Sequence, residues 1–136
     1  MRKLTAFVIA LSALLPTAAR AYPQKEADIL STTSYAVATA GQKNRRGAEA
    51  YCRQTKATLT KKPEEAYMAA EVERCFAMVA DAAGDKKAAC RHYKEALAIW
   101  TKTPPPNDHP QSVASRAAIK TGMEQYWTTN CAIKKN

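Results

Sequence analysis

The chain has 136 residues, of which 46% are hydrophobic and 24% charged, and its formal net charge at pH 7 is +9. This length accommodates one domain with a hydrophobic core of its own and excludes two domains of ordinary size. The basic balance favours anionic partners such as lipid head groups, acidic peptides or polyanionic glycans, with an ordinary basic surface as the alternative.

Residues 1–21 have the order of features that is typical of a secretory signal peptide. Two basic residues at positions 2 and 3 precede an apolar run, residues 4–15, and Ala19 and Ala21 occupy the positions that a signal peptidase reads. The apolar run is about half of the roughly 20 residues that a membrane span needs. The sequence therefore predicts cleavage after Ala21, a periplasmic or secreted protein without a transmembrane segment, and no nucleic-acid partner.

Four cysteines lie in residues 22–136, the predicted mature domain, which has 115 residues and a net charge of +6. An even number of cysteines in an oxidising compartment predicts two disulfides. No two cysteines have the C-x-x-C spacing of redox pairs and covalent haem sites. Cys90 and His92, with His109 further on, are too few and too scattered for a zinc site. No metal or other cofactor is expected.

The mature domain is predicted to be entirely helical, because alanine is abundant and no segment alternates with the period of a strand. Gly41 and Gly84 are predicted helix stops, and Asn44 and Asp85 are predicted N-caps. Five helices result, at about residues 24–40, 44–60, 63–84, 85–102 and 112–134. The proline-rich stretch at residues 104–110 is predicted to be the long loop before the last helix.

The second and fourth predicted helices share the motif C-R-x-x-K-x-x-L, which begins at Cys52 and recurs at Cys90, 38 residues later. This spacing equals one helix pair with its turns, which indicates a helical-hairpin repeat closed by the fifth helix.

The second hairpin resembles a tetratricopeptide repeat over about residues 70–103. The matching residues are Phe76-Ala77, Gly84-Asp85 at the turn, and then Ala89, Tyr93 and Ala96-Leu97. Glu73 and Ala80 depart from the pattern, since they stand where the family has aromatic residues, and the expected proline arrives late, at Pro104. The first hairpin matches poorly. A plain helical bundle stapled by disulfides is the alternative fold.

The resemblance implies a groove that binds peptides or protein segments and is lined by the first helix of each hairpin. Its positions on the third helix would be Glu71, Arg74, Met78 and Asp81. The alternative is that two hairpins make too short a groove and the fifth helix fills it.

Stacked repeats of this kind imply one preferred cysteine pairing. The second helix of one unit would face the first helix of the next, which favours Cys52–Cys75 and Cys90–Cys131. The rival pairing joins Cys75 to Cys90 within one hairpin and leaves Cys52 with Cys131.

Basic residues form a second candidate surface, because they recur on one face of each second helix. The members of this basic face are Arg46, Arg53, Lys56, Lys87, Arg91 and Lys94. Such a face can hold an anionic lipid or cell-wall polymer, although an ordinary solvated face is the alternative.

No catalytic set stands out in the sequence. His92 is interpreted as a boundary residue of an amphipathic helix, and His109 has Asp108 beside it but no evident nucleophile. We therefore expect a non-enzymatic module that binds an unidentified envelope protein or peptide. The alternative function is a basic surface that binds anionic lipid or cell-wall polymer.

Overall fold

A computed structural model of the protein describes residues 22–132, so the predicted signal peptide lies outside the described residues. These residues form five α-helices and no strand, which confirms the all-α fold class. The helices are α1 (Gln24–Gly41), α2 (Arg45–Thr58), α3 (Met68–Ala82), α4 (Lys86–Lys102) and α5 (Pro110–Asn130). None of them is long and apolar enough to cross a membrane.

The two short turns between helices follow the signals in the sequence. The side chains of Asn44 and Asp85 each accept a backbone N–H bond of 3.0 Å at the start of α2 and α4. Gly84 has φ of 80°, a left-handed conformation that favours glycine. In the turn after α1 the left-handed position is held by Lys43, with φ of 61°, and Gly41 is the last residue of α1. Both predicted caps are confirmed.

The prediction that the third helix begins at Pro63 is wrong, and the second helix ends earlier than predicted. Leu59 is extended, with ψ of 141°, and Lys62 is extended because it precedes a proline. Pro63–Glu65 forms a single 3-10 turn, and α3 starts only at Met68. The carboxylate of Glu65 accepts bonds from the backbone and hydroxyl of Thr60, which hold this turn against the end of α2.

The start and end of α5 also differ from the prediction. It begins at Pro110 rather than at residue 112, because proline is well suited to the first helical position, where no N–H is needed. It ends at Asn130, and Cys131 follows as the C-cap residue.

The helices pack as two hairpins, α1 with α2 and α3 with α4, and both helices of the first hairpin contact α3. Helix α5 packs on α4. Alanines at the contacts are fully buried, Ala77, Ala89 and Ala96 among them, and they allow close approach of the helices. Trp100 fills the core, and its indole N–H donates to the carbonyl oxygen of Tyr67 at 2.9 Å.

Both disulfides join neighbouring layers of helices. Cys52–Cys75 links α2 to α3 with a Cα–Cα distance of 5.7 Å. Cys90–Cys131 links α4 to the end of α5 with a Cα–Cα distance of 5.5 Å. The preferred pairing is therefore confirmed, and the rival pairing through Cys75–Cys90 is wrong. Each disulfide reduces the conformational entropy of the unfolded chain. In the folded protein it fixes the position of one helix that forms a wall of the groove described below.

Candidate functional site

Two adjoining cavities form a groove along α5. The first, of about 460 Å³, lies between α1, α3 and α5 and includes Leu30 and Val37 on the α1 side. The second, of about 420 Å³, lies between α3, α4 and α5 and extends to Tyr93 and Tyr126. Arg74, Met78, Ser115 and Ile119 line both cavities. Two of the four residues predicted for the groove, Arg74 and Met78, thus stand where the cavities meet, and α5 forms one wall without filling the groove.

Arg74 is the one charged side chain among the described residues that line the two cavities. It is half-buried, and no carboxylate of the described chain lies within the 4.0 Å of an ion pair. Burial lowers the pKa of this guanidinium, with Tyr93 and Glu71 opposing the effect. Such a cation is partly stripped of water without a counter-charge, which favours an anionic ligand.

Asp81 borders the groove rather than lining it. Its carboxylate accepts a bond of 2.7 Å from the hydroxyl of Tyr126, and this bond ties α3 to α5 at the end of the second cavity. Burial and the Asp81 bond together raise the pKa of the Tyr126 hydroxyl. Asp81 therefore links α3 to α5 instead of lining the groove, where the resemblance placed it.

Glu71, the fourth predicted groove residue, lies in the interior instead. Its side chain is fully buried, and neither carboxylate oxygen has a hydrogen-bond partner within the described residues. Burial, followed by the charge of nearby Glu26, raises the pKa of Glu71 to about 9. The group is therefore protonated and neutral at pH 7. Glu71 does not line either cavity, and it lies near the buried Glu26–Arg116 pair.

Arg116 is the centre of a buried polar cluster that was not predicted from the sequence. Its guanidinium is bidentate to Glu26, with Nε–Oε1 at 2.9 Å and Nη2–Oε2 at 3.0 Å. It also donates to the carbonyl oxygen of Pro106 and to the Asp108 carboxylate. The Tyr67 ring lies 5.1 Å from the guanidinium carbon, and the Tyr67 hydroxyl accepts a bond from Nη2. The cluster joins α1, the 3-10 turn region, the proline loop and α5.

The positions of Glu26 and Arg116 along their helices are the feature of the sequence that indicates this cluster. Glu26 lies on the same face of α1 as Ile29 and Thr33, and Arg116 lies on the same face of α5 as Ser112 and Met123. A charged residue in register with the buried residues of each of two helices indicates a buried ion pair. The two residues are 90 positions apart, so only this periodicity could have linked them.

All six residues of the basic face are exposed. Arg53 has a long contact of 3.9 Å with Glu49, which partly offsets its charge. Arg45 pairs with Asp85 at 2.9 Å, and this contact places the start of α2 beside the start of α4. The basic face is thus open to solvent, and nothing in its geometry selects a particular anion.

Both histidines lie beside acidic residues. His92 is half-buried, with Nδ1 at 2.7 Å from Glu73 and its ring stacked on Phe76 at 5.3 Å. Glu73 on α3 is thus the acidic partner of His92 on α4. His109 lies 3.2 Å from Asp108, whose carboxylate also binds Arg116. Within residues 22–132 no group of three or more His, Cys, Asp and Glu side chains is placed to hold a metal.

Comparison of the chain with protein-family models, with curated proteins and with solved structures finds no match.

Proposed function

We propose that this protein is a non-enzymatic, exported module that binds an extended segment of another protein or a peptide in the groove between α1, α3 and α5. The observation that carries the proposal is the pair of adjoining cavities with Arg74 and Met78 at their junction. A concave site with mostly apolar walls and a few polar groups is typical of ligand-binding clefts.

The walls of the groove are tied to one another, which supports this proposal. A preformed groove does not lose conformational entropy by becoming ordered when the ligand binds. The buried Glu26–Arg116 pair ties α5 to α1, and the Cys90–Cys131 disulfide ties the end of α5 to α4. The Asp81–Tyr126 bond adds a third tie between α3 and α5. Together they fix the position of α5 relative to α1, α3 and α4.

The proposed location and repeat family rest on separate features. Two disulfides are typical of proteins in oxidising compartments, which supports export to the periplasm or beyond. The tetratricopeptide-like assignment is supported by the left-handed Gly84, the Asp85 cap, and the buried Ala89 and Tyr93 of the second hairpin.

A blocked groove tests the proposed function. Peptides are first selected from a random library against the protein with its disulfides intact. Ser115 is exposed on α5 and lines both cavities, so Ser115→Trp fills the groove with little effect on the core. We expect it to weaken binding of the selected peptides by about tenfold or more in fluorescence polarisation. Ala114→Trp is the matched control, since Ala114 is exposed and lines neither cavity.

A second set of variants distinguishes binding in the groove from binding on the basic face. Arg74→Ala and Met78→Ala should each weaken binding by about 2 kcal/mol or more. Charge reversal of Arg53, Arg91 and Lys94, all exposed on the basic face, should change it by less than about 1 kcal/mol for each site. If charge reversal abolished binding and the groove variants bound normally, the binding site would be the basic face and not the groove.

A further inference from the structure

We propose that the segment bound in the groove carries an acidic side chain in its interior, which pairs with Arg74, and apolar residues on both sides of that acid. This inference rests on the proposed function and names the chemistry of the ligand. It is carried by the charge of Arg74, by its position between the two cavities, and by the groups along the walls.

The charge argument starts from the carboxylates near Arg74. Asp81 is bound to the hydroxyl of Tyr126, and Glu71 is buried without reaching hydrogen-bond distance of any described group. Neither forms an ion pair with Arg74 among the described residues. A guanidinium offers a planar fork of N–H donors that matches a carboxylate, and partial burial strengthens such a contact. An aspartate or glutamate side chain of the ligand supplies the counter-charge that the protein does not.

The position of Arg74 favours an acid in the interior of the segment over a carboxyl terminus. Arg74 lines both cavities, so the groove continues on each side of its guanidinium. Leu30 and Val37 lie on one side, and Tyr93 and Met123 lie on the other. A ligand that ended at Arg74 would fill only one cavity, whereas a segment that passes Arg74 buries apolar side chains in both.

Polar groups along the walls favour a peptide over an acyl chain. Tyr22 has a buried hydroxyl with no hydrogen-bond partner in the described part of the chain, and it lines the first cavity. Ser115 also lines both cavities, whereas the hydroxyls of Thr33 and Ser34 in the first already donate to carbonyl oxygens within α1. A peptide backbone offers amide and carbonyl groups to the hydroxyls of Tyr22 and Ser115, whereas a hydrocarbon chain would leave them unpaired.

Three peptide libraries test the inference, each of nine residues and otherwise drawn from Ala, Leu, Val and Met. The first has a central Glu with both ends capped, the second has a central Gln with both ends capped, and the third lacks the acid but has a free carboxyl terminus. Binding to the disulfide-intact protein is measured by fluorescence polarisation. We expect the Glu library to bind about tenfold more tightly than the Gln library, since charge-assisted hydrogen bonds exceed neutral ones by about this factor.

Variants test whether the difference in affinity between the Glu and Gln libraries depends on Arg74. The Arg74→Gln protein should bind the Glu library only as tightly as the Gln library. Its affinity for the Gln library should be nearly that of the unaltered protein. Arg91→Gln is the control, because it makes the same substitution at an exposed residue of the basic face. Equal binding of the Glu and Gln libraries overturns the inference while the proposed function stands. Tighter binding of the free-carboxyl library also overturns it, in favour of a chain terminus. Absence of binding by all three libraries overturns the proposed function and the inference with it.

Discussion

Arg116→Ala is expected to lower the free energy of unfolding by about 3–5 kcal/mol, because it leaves the Glu26 carboxylate buried without its counter-charge. The Arg116 side chain is 4% exposed and that of Glu26 is fully buried. The same change removes the contacts to Pro106 and Asp108, so the proline loop loses its attachment to α5. Urea unfolding of the disulfide-intact protein measures the effect.

A double variant controls for this loss. Arg116→Met with Glu26→Leu removes both charges together, and apolar replacements of similar size at a buried ion pair are often neutral or stabilising. We expect the double variant to be clearly more stable than Arg116→Ala alone. A single variant that loses less than about 1 kcal/mol would show that the pair does not hold α5 in place.

Glu71 is expected to make the protein less stable as the pH rises through the neutral range. Its pKa is about 9 in the folded protein, against 4.5 for an ordinary glutamate in water, so the folded state holds a proton that the unfolded state releases. The contribution is therefore fully present below pH 4.5 and is lost as the pH rises through 9. The slope approaches about 1.4 kcal/mol per pH unit within this window.

Glu71→Gln isolates this effect from the other titrating groups. The difference in unfolding free energy between Glu71→Gln and the unaltered protein should grow in favour of the variant between pH 5 and pH 8. Glu95→Gln, an exposed change on α4, is the control and should leave the slope unaltered. A pH-independent difference for Glu71→Gln would mean that Glu71 is ionised in the folded protein.

Local signals account for the parts of the fold that the sequence predicted. Asn44 and Asp85 cap their helices through side chains that reach only three residues along the chain, so their effect is visible without tertiary structure. The cysteine pairing needed one further assumption, the stacking of hairpins, and both disulfides follow from it. Arg74 and Met78 were predicted as groove residues from the resemblance to tetratricopeptide repeats, and both line the two cavities.

Long-range contacts account for the parts that it did not predict. Glu71 has the register of a groove residue, but its environment depends on Glu26 and Arg116, which come from the two ends of the domain. The late start of α3 depends on Glu65, whose carboxylate contacts Thr60 and Lys25. Helix α5 was expected either to close the repeat or to fill the groove, so its role as a wall of the groove was not predicted.

Two-dimensional ¹H–¹⁵N spectra of the disulfide-intact protein, titrated with the capped library that has a central Glu, test the central claim most directly. The account predicts that shift changes concentrate on groove residues of α1, α3 and α5, with Leu30, Met78 and Ile119 among the largest. Changes confined to α2 and the exposed face of α4, around Arg53, Arg91 and Lys94, would contradict it and place binding on the basic face.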